Sequence, residues 1–158
     1  MSKPASPDAP GVNLLALENQ FCFALYSAAH AMTRAYKPLL ERLGLTYPQY
    51  LVMLVLWEHD EVPVKDIGAR LFLDSGTLTP LLKRLEAGGL LLRGRDPQDE
   101  RQVRIALTAQ GRALRTRALA IPEQVLCASG QELGTLGRLR ADLSGVRTAL
   151  FKSMGSDQ

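Results

Sequence analysis

A chain of 158 residues with 46% hydrophobic and 22% charged residues can build one packed domain, and its overall composition excludes a wholly disordered chain. A formal net charge of +3 is too small to signal a polyanionic partner by itself, so the distribution of charge has to carry that case. The two cysteines, Cys22 and Cys127, match neither a C-x-x-C nor a zinc spacing, which gives a structural metal no support.

The opening segment MSKPASPDAPG is rich in Pro, Ser and Ala and leads into no apolar span. It is expected to be a flexible tail over 1–12 of a cytoplasmic protein with no membrane partner. From Leu14 to Leu43 apolar residues recur at helical spacing, with Asn19 as candidate N-cap and Pro38 marking a kink or a break. Thr46-Tyr47-Pro48-Gln49 has the form of a capping box and opens the apolar run Tyr50 to Trp57, a buried helix. Val62 to Leu71 reads as a short helix. Asp74 then caps a second one over Ser75 to Ala87, stopped by Gly88-Gly89, and two short helices in tandem suggest helix-turn-helix.

Leu90 to Arg93, the polar turn Gly94 to Arg101 and the alternating Val103 to Leu107 read as a β-hairpin. Thr108 caps a helix through roughly Leu126, and Ser129-Gly130-Gln131-Glu132 forms a capping box for a last helix toward Phe151. The expected fold is mainly α with a small β-hairpin, a winged helix-turn-helix with N- and C-terminal dimerisation helices. One domain covers 13–158, with DNA binding at 46–108 and self-association at 13–45 and 109–158. The apolar faces of the terminal helices need a partner surface, and a homodimer supplies it while pairing two readers for a palindromic operator.

Between Lys83 and Arg117 nine Lys or Arg residues face four acidic ones, so this region is locally basic. On the second short helix, Ser75, Thr77 and Thr79 suit base edges in the major groove, while Lys83 and Arg84 suit phosphates of double-stranded DNA. The hairpin adds Arg93, Arg95, Arg101 and Arg104, with Arg101 at the turn placed for a minor groove. A solvated charged helix and turn would show the same composition, so the arrangement is what discriminates.

That arrangement resembles the MarR family of regulators. Residues 62 to 111, VPVKDIGARLFLDSGTLTPLLKRLEAGGLLLRGRDPQDERQVRIALTAQG, are similar to its helix-turn-helix, wing and following helix start. The most specific pieces are LEAGGLL, the wing Asp99-Glu100-Arg101, and Leu107-Thr108 leading to Gly111. The resemblance implies a winged-helix homodimer with interlocked terminal helices and repression relieved by a small signal.

Cys22 falls in the first turn of the first predicted helix, where the dipole favours a thiolate, while Phe21 and Phe23 oppose it by desolvation. Pattern alone also fits a small core hydrophobe. Cys22, Tyr36 within AYKP and Tyr47 within LTYPQY resemble the organic-hydroperoxide-sensing OhrR branch of the family. The resemblance implies oxidation of Cys22 by organic hydroperoxides, hydrogen bonds from Tyr36 and Tyr47 to its sulfur, and Cys127 of the other subunit as resolving thiol. Cys22 and Tyr36 lie about 21 Å apart along an unbroken helix, so such a site must be shared between subunits.

Tyr26, Tyr50, Trp57, Met32 and Met53 read as packing residues, and His30 and His59 as structural or surface groups. The sequence points to no enzyme active site, cofactor or metal. Three other functions fit parts of the pattern: a repressor released by aromatic ligands, a thiol peroxidase, and a basic dimer binding DNA without sequence preference. No Arg or Glu stands beside Cys22 to serve peroxidase turnover.

Overall fold

A computed structural model describes residues 12–155, so the expected tail, apart from Val12, lies outside the described residues. After a short 3-10 turn at Leu17–Asn19 come helices α1 (Phe21–Glu41) and α2 (Tyr47–Glu58), strand β1 (Val62–Pro63), and helices α3 (Val64–Leu71) and α4 (Ser75–Ala87). Strands β2 (Leu91–Arg95) and β3 (Val103–Leu107) follow, then α5 (Ala109–Ala118), α6 (Ile121–Ser129) and α7 (Leu133–Ser153). The mainly helical chain with a small sheet is a winged helix-turn-helix.

The core forms around α2. Its capping box is complete: the Thr46 side chain accepts from the Gln49 backbone N–H, and the Gln49 side chain accepts from the Thr46 backbone N–H. Tyr50, Val52, Met53, Val55 and Leu56 are all buried, so this helix is apolar on most sides and is surrounded by α1, α3, α4 and α5. Ile67, Leu78, Leu82, Leu85, Leu91 and Ile105 complete the same cluster. Truncating one of these leucines to Ala costs about 2–5 kcal/mol.

Sequence expectation and structure part at several places. Val62 and Pro63 do not begin α3. They pair with Ile105 and Arg104 as an edge strand, so the hairpin gains a third member in the order β1-β3-β2. An edge suits Pro63, which has no N–H for an inner ladder. The single helix expected from Thr108 to Leu126 is two: Thr108 caps α5 as expected, but α5 ends at Ala118. Pro122 lacks the N–H that would reach the Ala118 carbonyl, and its ring crowds that group, so the chain restarts as α6.

Pro38, by contrast, lies within a continuous α1. Gln20, not Asn19, is the N-cap of α1, and Asn19 Nδ2 donates to the Asn13 carbonyl instead. The capping box expected before α7 is not formed. The Ser129 hydroxyl donates to the Leu126 carbonyl and accepts from the Gln131 N–H, closing the end of α6, and the N-cap of α7 is Glu132 without a side-chain bond.

Helix α7 buries none of its 21 residues. Its far end meets the turn between α3 and α4: Phe151 stacks on Phe72 at 5.5 Å, and the Arg147 guanidinium lies 4.2 Å from the centre of the Phe72 ring. Phe72 closes α3 in the left-handed conformation at φ 55°, a strained backbone for a bulky residue that these contacts help to hold.

Candidate functional site

The sequence of α4 divides cleanly by face. Leu78, Leu82 and Leu85 are buried, while Ser75, Thr77, Lys83 and Arg84 are exposed and Thr79 is half-buried. Asp74 fastens the start, its Oδ1 accepting from the Thr77 N–H at 2.7 Å. The start of α4 thus presents the exposed Ser75 and Thr77 at the surface.

The wing is shaped by its acids. Asp96 is 6% exposed and binds the Arg104 side chain, while its Oδ1 accepts from the Gln98 N–H at 2.8 Å. Asp99 accepts from the Arg101 N–H at 3.1 Å and from Gln102 Nε2 at 3.0 Å. With the carboxylates spent inside the loop, Arg95 and Arg101 remain exposed. A cleft of about 520 Å³ between α4 and the wing is lined by Lys65, Ser75, Thr79, Arg93 and Arg101 among others. Residues expected to share a DNA surface are thus brought together. Lys65, which no sequence signal placed here because it precedes the basic run, also lines this cleft.

Ion pairing sorts the cations further. Arg70, Arg93, Arg104 and Arg112 are bound to Glu58, Glu86, Asp96 and Asp60. Among the described residues, Lys65, Lys83, Arg84, Arg95 and Arg101 have no carboxylate partner, and they supply uncompensated positive charge around α4 and the wing.

The sensor candidates fall in two places. Cys22 is exposed in the first turn of α1, Cys127 is exposed on α6, and both are free thiols. Tyr36 and Tyr47 come together at the other end of α1, half-buried, with ring centres 4.8 Å apart. Burial, then the neighbouring Tyr47 and Tyr50, push the Tyr36 phenol up to about 12, and burial raises Tyr47 as well. Burial thus favours the neutral phenols, which have O–H groups to donate. They border a groove of about 1000 Å³ between α1, α6 and α7, with Leu25, Met32, Leu126 and Leu139 along it.

Tyr50 is core at 3% exposure, but Tyr26 is 61% exposed and lies tilted against His30, so its expected packing role is not met within this chain. Met53 is core, whereas Met32 faces the groove. His30 and His59 are both exposed. Trp57 is only half-buried, and its Nε1 donates to the Gly111 carbonyl at 2.9 Å.

The description "Transcriptional regulator SarA/Rot" matches residues 34–117. A regulator named TtmR from Methylorubrum extorquens is 53% identical over 142 residues, 90% of this chain and 73% of that protein. The chain is a MarR-type transcriptional regulator of the SarA/Rot family. The organic hydroperoxide resistance transcriptional regulator of Bacillus subtilis is 51% identical over 127 residues, 80% of this chain and 86% of the relative. Among solved regulators, reduced AbfR bound to DNA superposes with TM-score 0.75 at 35% identity, over 87% of this chain and 94% of that one. AbfR with its disulfide formed gives TM-score 0.61 at 37% identity, over 82% and 91%. This regulator carries no helix among the described residues long and apolar enough to cross a membrane.

Proposed function

We propose that this regulator is a cytoplasmic homodimeric repressor that holds a palindromic operator and releases it when organic hydroperoxides oxidise Cys22. The observation that carries the reading is the separation of its parts on one rigid helix. An unbroken α1 keeps Cys22 about 21 Å from Tyr36, which pairs with Tyr47 of α2, so sensing needs a second α1, crossing antiparallel, to bring each thiol beside the other subunit's phenols. Likeness to the Bacillus hydroperoxide-resistance regulator supports the same signal. Likeness to the reduced, DNA-bound form of AbfR supports a DNA-competent arrangement of this chain.

The chemistry balances without a cofactor. The Cys22 thiolate attacks the distal peroxide oxygen, the O–O bond breaks, and the alcohol leaves with a proton as sulfur becomes sulfenic acid. The partner subunit's Cys127 then attacks that sulfur, an S–S bond forms and water leaves. Two thiols lose two electrons and the peroxide gains them. Phenol donors near the sulfur stabilise the thiolate and hold the leaving oxygen.

Ser75, Thr77 and Thr79 read base edges, Lys83, Arg84 and Arg95 hold phosphates, Arg93, paired with Glu86, braces the base of the wing, and Arg101 enters a minor groove. The test is a gel shift on the regulator's own upstream region, with cumene hydroperoxide and then dithiothreitol. DNA release with hydroperoxide and recovery with dithiol support the reading, and binding indifferent to both defeats it. The apolar groove favours one alternative, release by an aromatic ligand, in which case loss of both cysteines leaves induction intact.

A further inference from the structure

Tyr36 and Tyr47 are one end of a longer aromatic row. Tyr50 lies 5.8 Å from Tyr36 and 6.4 Å from Tyr47, and Trp57 lies 6.3 Å from Tyr50, edge to face. Tyr47, Tyr50 and Trp57 occupy one side of α2, whose capped start and buried body make it a stiff rod about 18 Å long. At its far end, the Trp57 indole N–H reaches the Gly111 carbonyl, 54 residues away in sequence.

Gly111 is buried in the first turn of α5 and packs flush on the Leu90 carbonyl, where any Cβ would overlap that oxygen. The Leu90 carbonyl also accepts from the Thr108 N–H at 3.1 Å, and the Thr108 hydroxyl donates to the Gly89 carbonyl at 2.6 Å. Gly89 and Leu90 are the link between α4 and β2. A displacement of the tyrosine pair therefore has a contiguous route of ring contacts and hydrogen bonds to the joint between recognition helix and wing.

We propose that Trp57 is the positioning residue that transmits a change at the Tyr36–Tyr47 pair to the joint between α4 and β2, through its hydrogen bond to Gly111. The proposal rests on the sensing role given above to the tyrosines. A phenylalanine at 57 keeps an aromatic ring against Tyr50 and removes the donor, so the thiol chemistry survives while the reading head no longer follows α2. Packing alone would make Trp57 a stability residue; transmission makes it change the ratio of oxidised to reduced DNA affinity.

The test compares wild type with Trp57→Phe, as dimers, in operator-binding anisotropy before and after cumene hydroperoxide and in the rate of Cys22 thiol loss. Expected for Trp57→Phe are thiol loss and reduced-state affinity within about twofold of wild type, with the drop in affinity on oxidation shrinking by about tenfold. A Tyr47→Phe substitution, expected to alter release in the wild-type background, should have no added effect on release in the Trp57→Phe background. Full release by Trp57→Phe, or additive effects of the two substitutions, overturns the proposal. If the variant does not fold, benzothienylalanine placed at 57 by amber suppression keeps the shape without the N–H and carries the same comparison. The wild-type arm separates the two readings: no thiol loss or no release there defeats the sensing function itself, and the transmission role with it.

Discussion

Arg93 Nε donates to Glu86 Oε2 at 2.7 Å, while the Arg93 N–H reaches Glu86 Oε1 at 3.2 Å, so the base of the wing is clipped to the recognition helix. Arg101, at the turn, has no such tie. Arg101→Ala is expected to weaken operator binding and lower the salt slope by about 0.9 for each phosphate the side chain no longer neutralises. Arg93→Ala should weaken binding mainly by loosening the angle between α4 and β2. Titration of operator binding against salt separates the two; equal slopes for Arg101→Ala and wild type would show that Arg101 neutralises no phosphate.

Asp96 clasps the wing through Arg104 and the Gln98 N–H, which hold its carboxyl below the ordinary carboxylate range. Its contribution is therefore fully present above the ordinary value and is lost as pH falls through the lowered one. Wing order should survive mild acid and fail only below the normal carboxylate range. Asp96→Asn should show that loosened wing at neutral pH, as faster hydrogen exchange at Gln102 and weaker operator binding.

The tyrosine cluster gives an effect at the other end of the pH scale. Tyr36 titrates near 12 in the folded chain against an ordinary 10.0, so its contribution to stability is complete below pH 10 and disappears as pH rises toward 12. Phenolate absorbance of native protein should develop at higher pH than in urea. Tyr36→Phe should remove the latest part of that native titration.

Gly111→Ala places a methyl against the Leu90 carbonyl, and backbone has to move on both sides. A loss of about 3 kcal/mol or more in urea unfolding is expected, at the upper end of overpacking costs. A wild-type midpoint would show that α5 shifts freely at its start.

The two thiols should divide their work. Cys22→Ser is expected to stay on operator whatever hydroperoxide is added. Cys127→Ser should still oxidise at Cys22 but form no covalent dimer, and should drift to overoxidised sulfur that dithiol does not restore. Non-reducing electrophoresis beside the gel shift reads both; release by the Cys22→Ser protein would end the thiol-sensor reading.

Local chemistry made much of this fold legible. Thr46, Asp74 and Thr108 announce helix starts because a hydroxyl or carboxylate can bind the next turn's N–H groups whatever the rest of the chain does. Ser129 and Asn19 offer the same chemistry and are used elsewhere, since a nearby carbonyl competes for them. The pairing of Val62 with Ile105 spans too much sequence for any pattern in either segment to reveal. At the site, residue types and order pointed to Ser75, Thr79 and Arg101, but Lys65 and the bond from Trp57 to Gly111 depend on contacts that exist only after folding.

The long final helix carries a consequence for any measurement on the isolated chain. Helix α7 buries no residue, and beyond the touch of Phe151 on Phe72 it meets mostly water, exposing Leu133, Leu139, Leu150 and Met154. Most of the stability of an amphipathic helix comes from packing of its apolar face, and within this chain α7 packs lightly. If a second copy covers that face, as proposed above, helix content becomes a function of protein concentration. On dilution, far-ultraviolet ellipticity should fall in two stages, with α7 fading first while the α2 core persists.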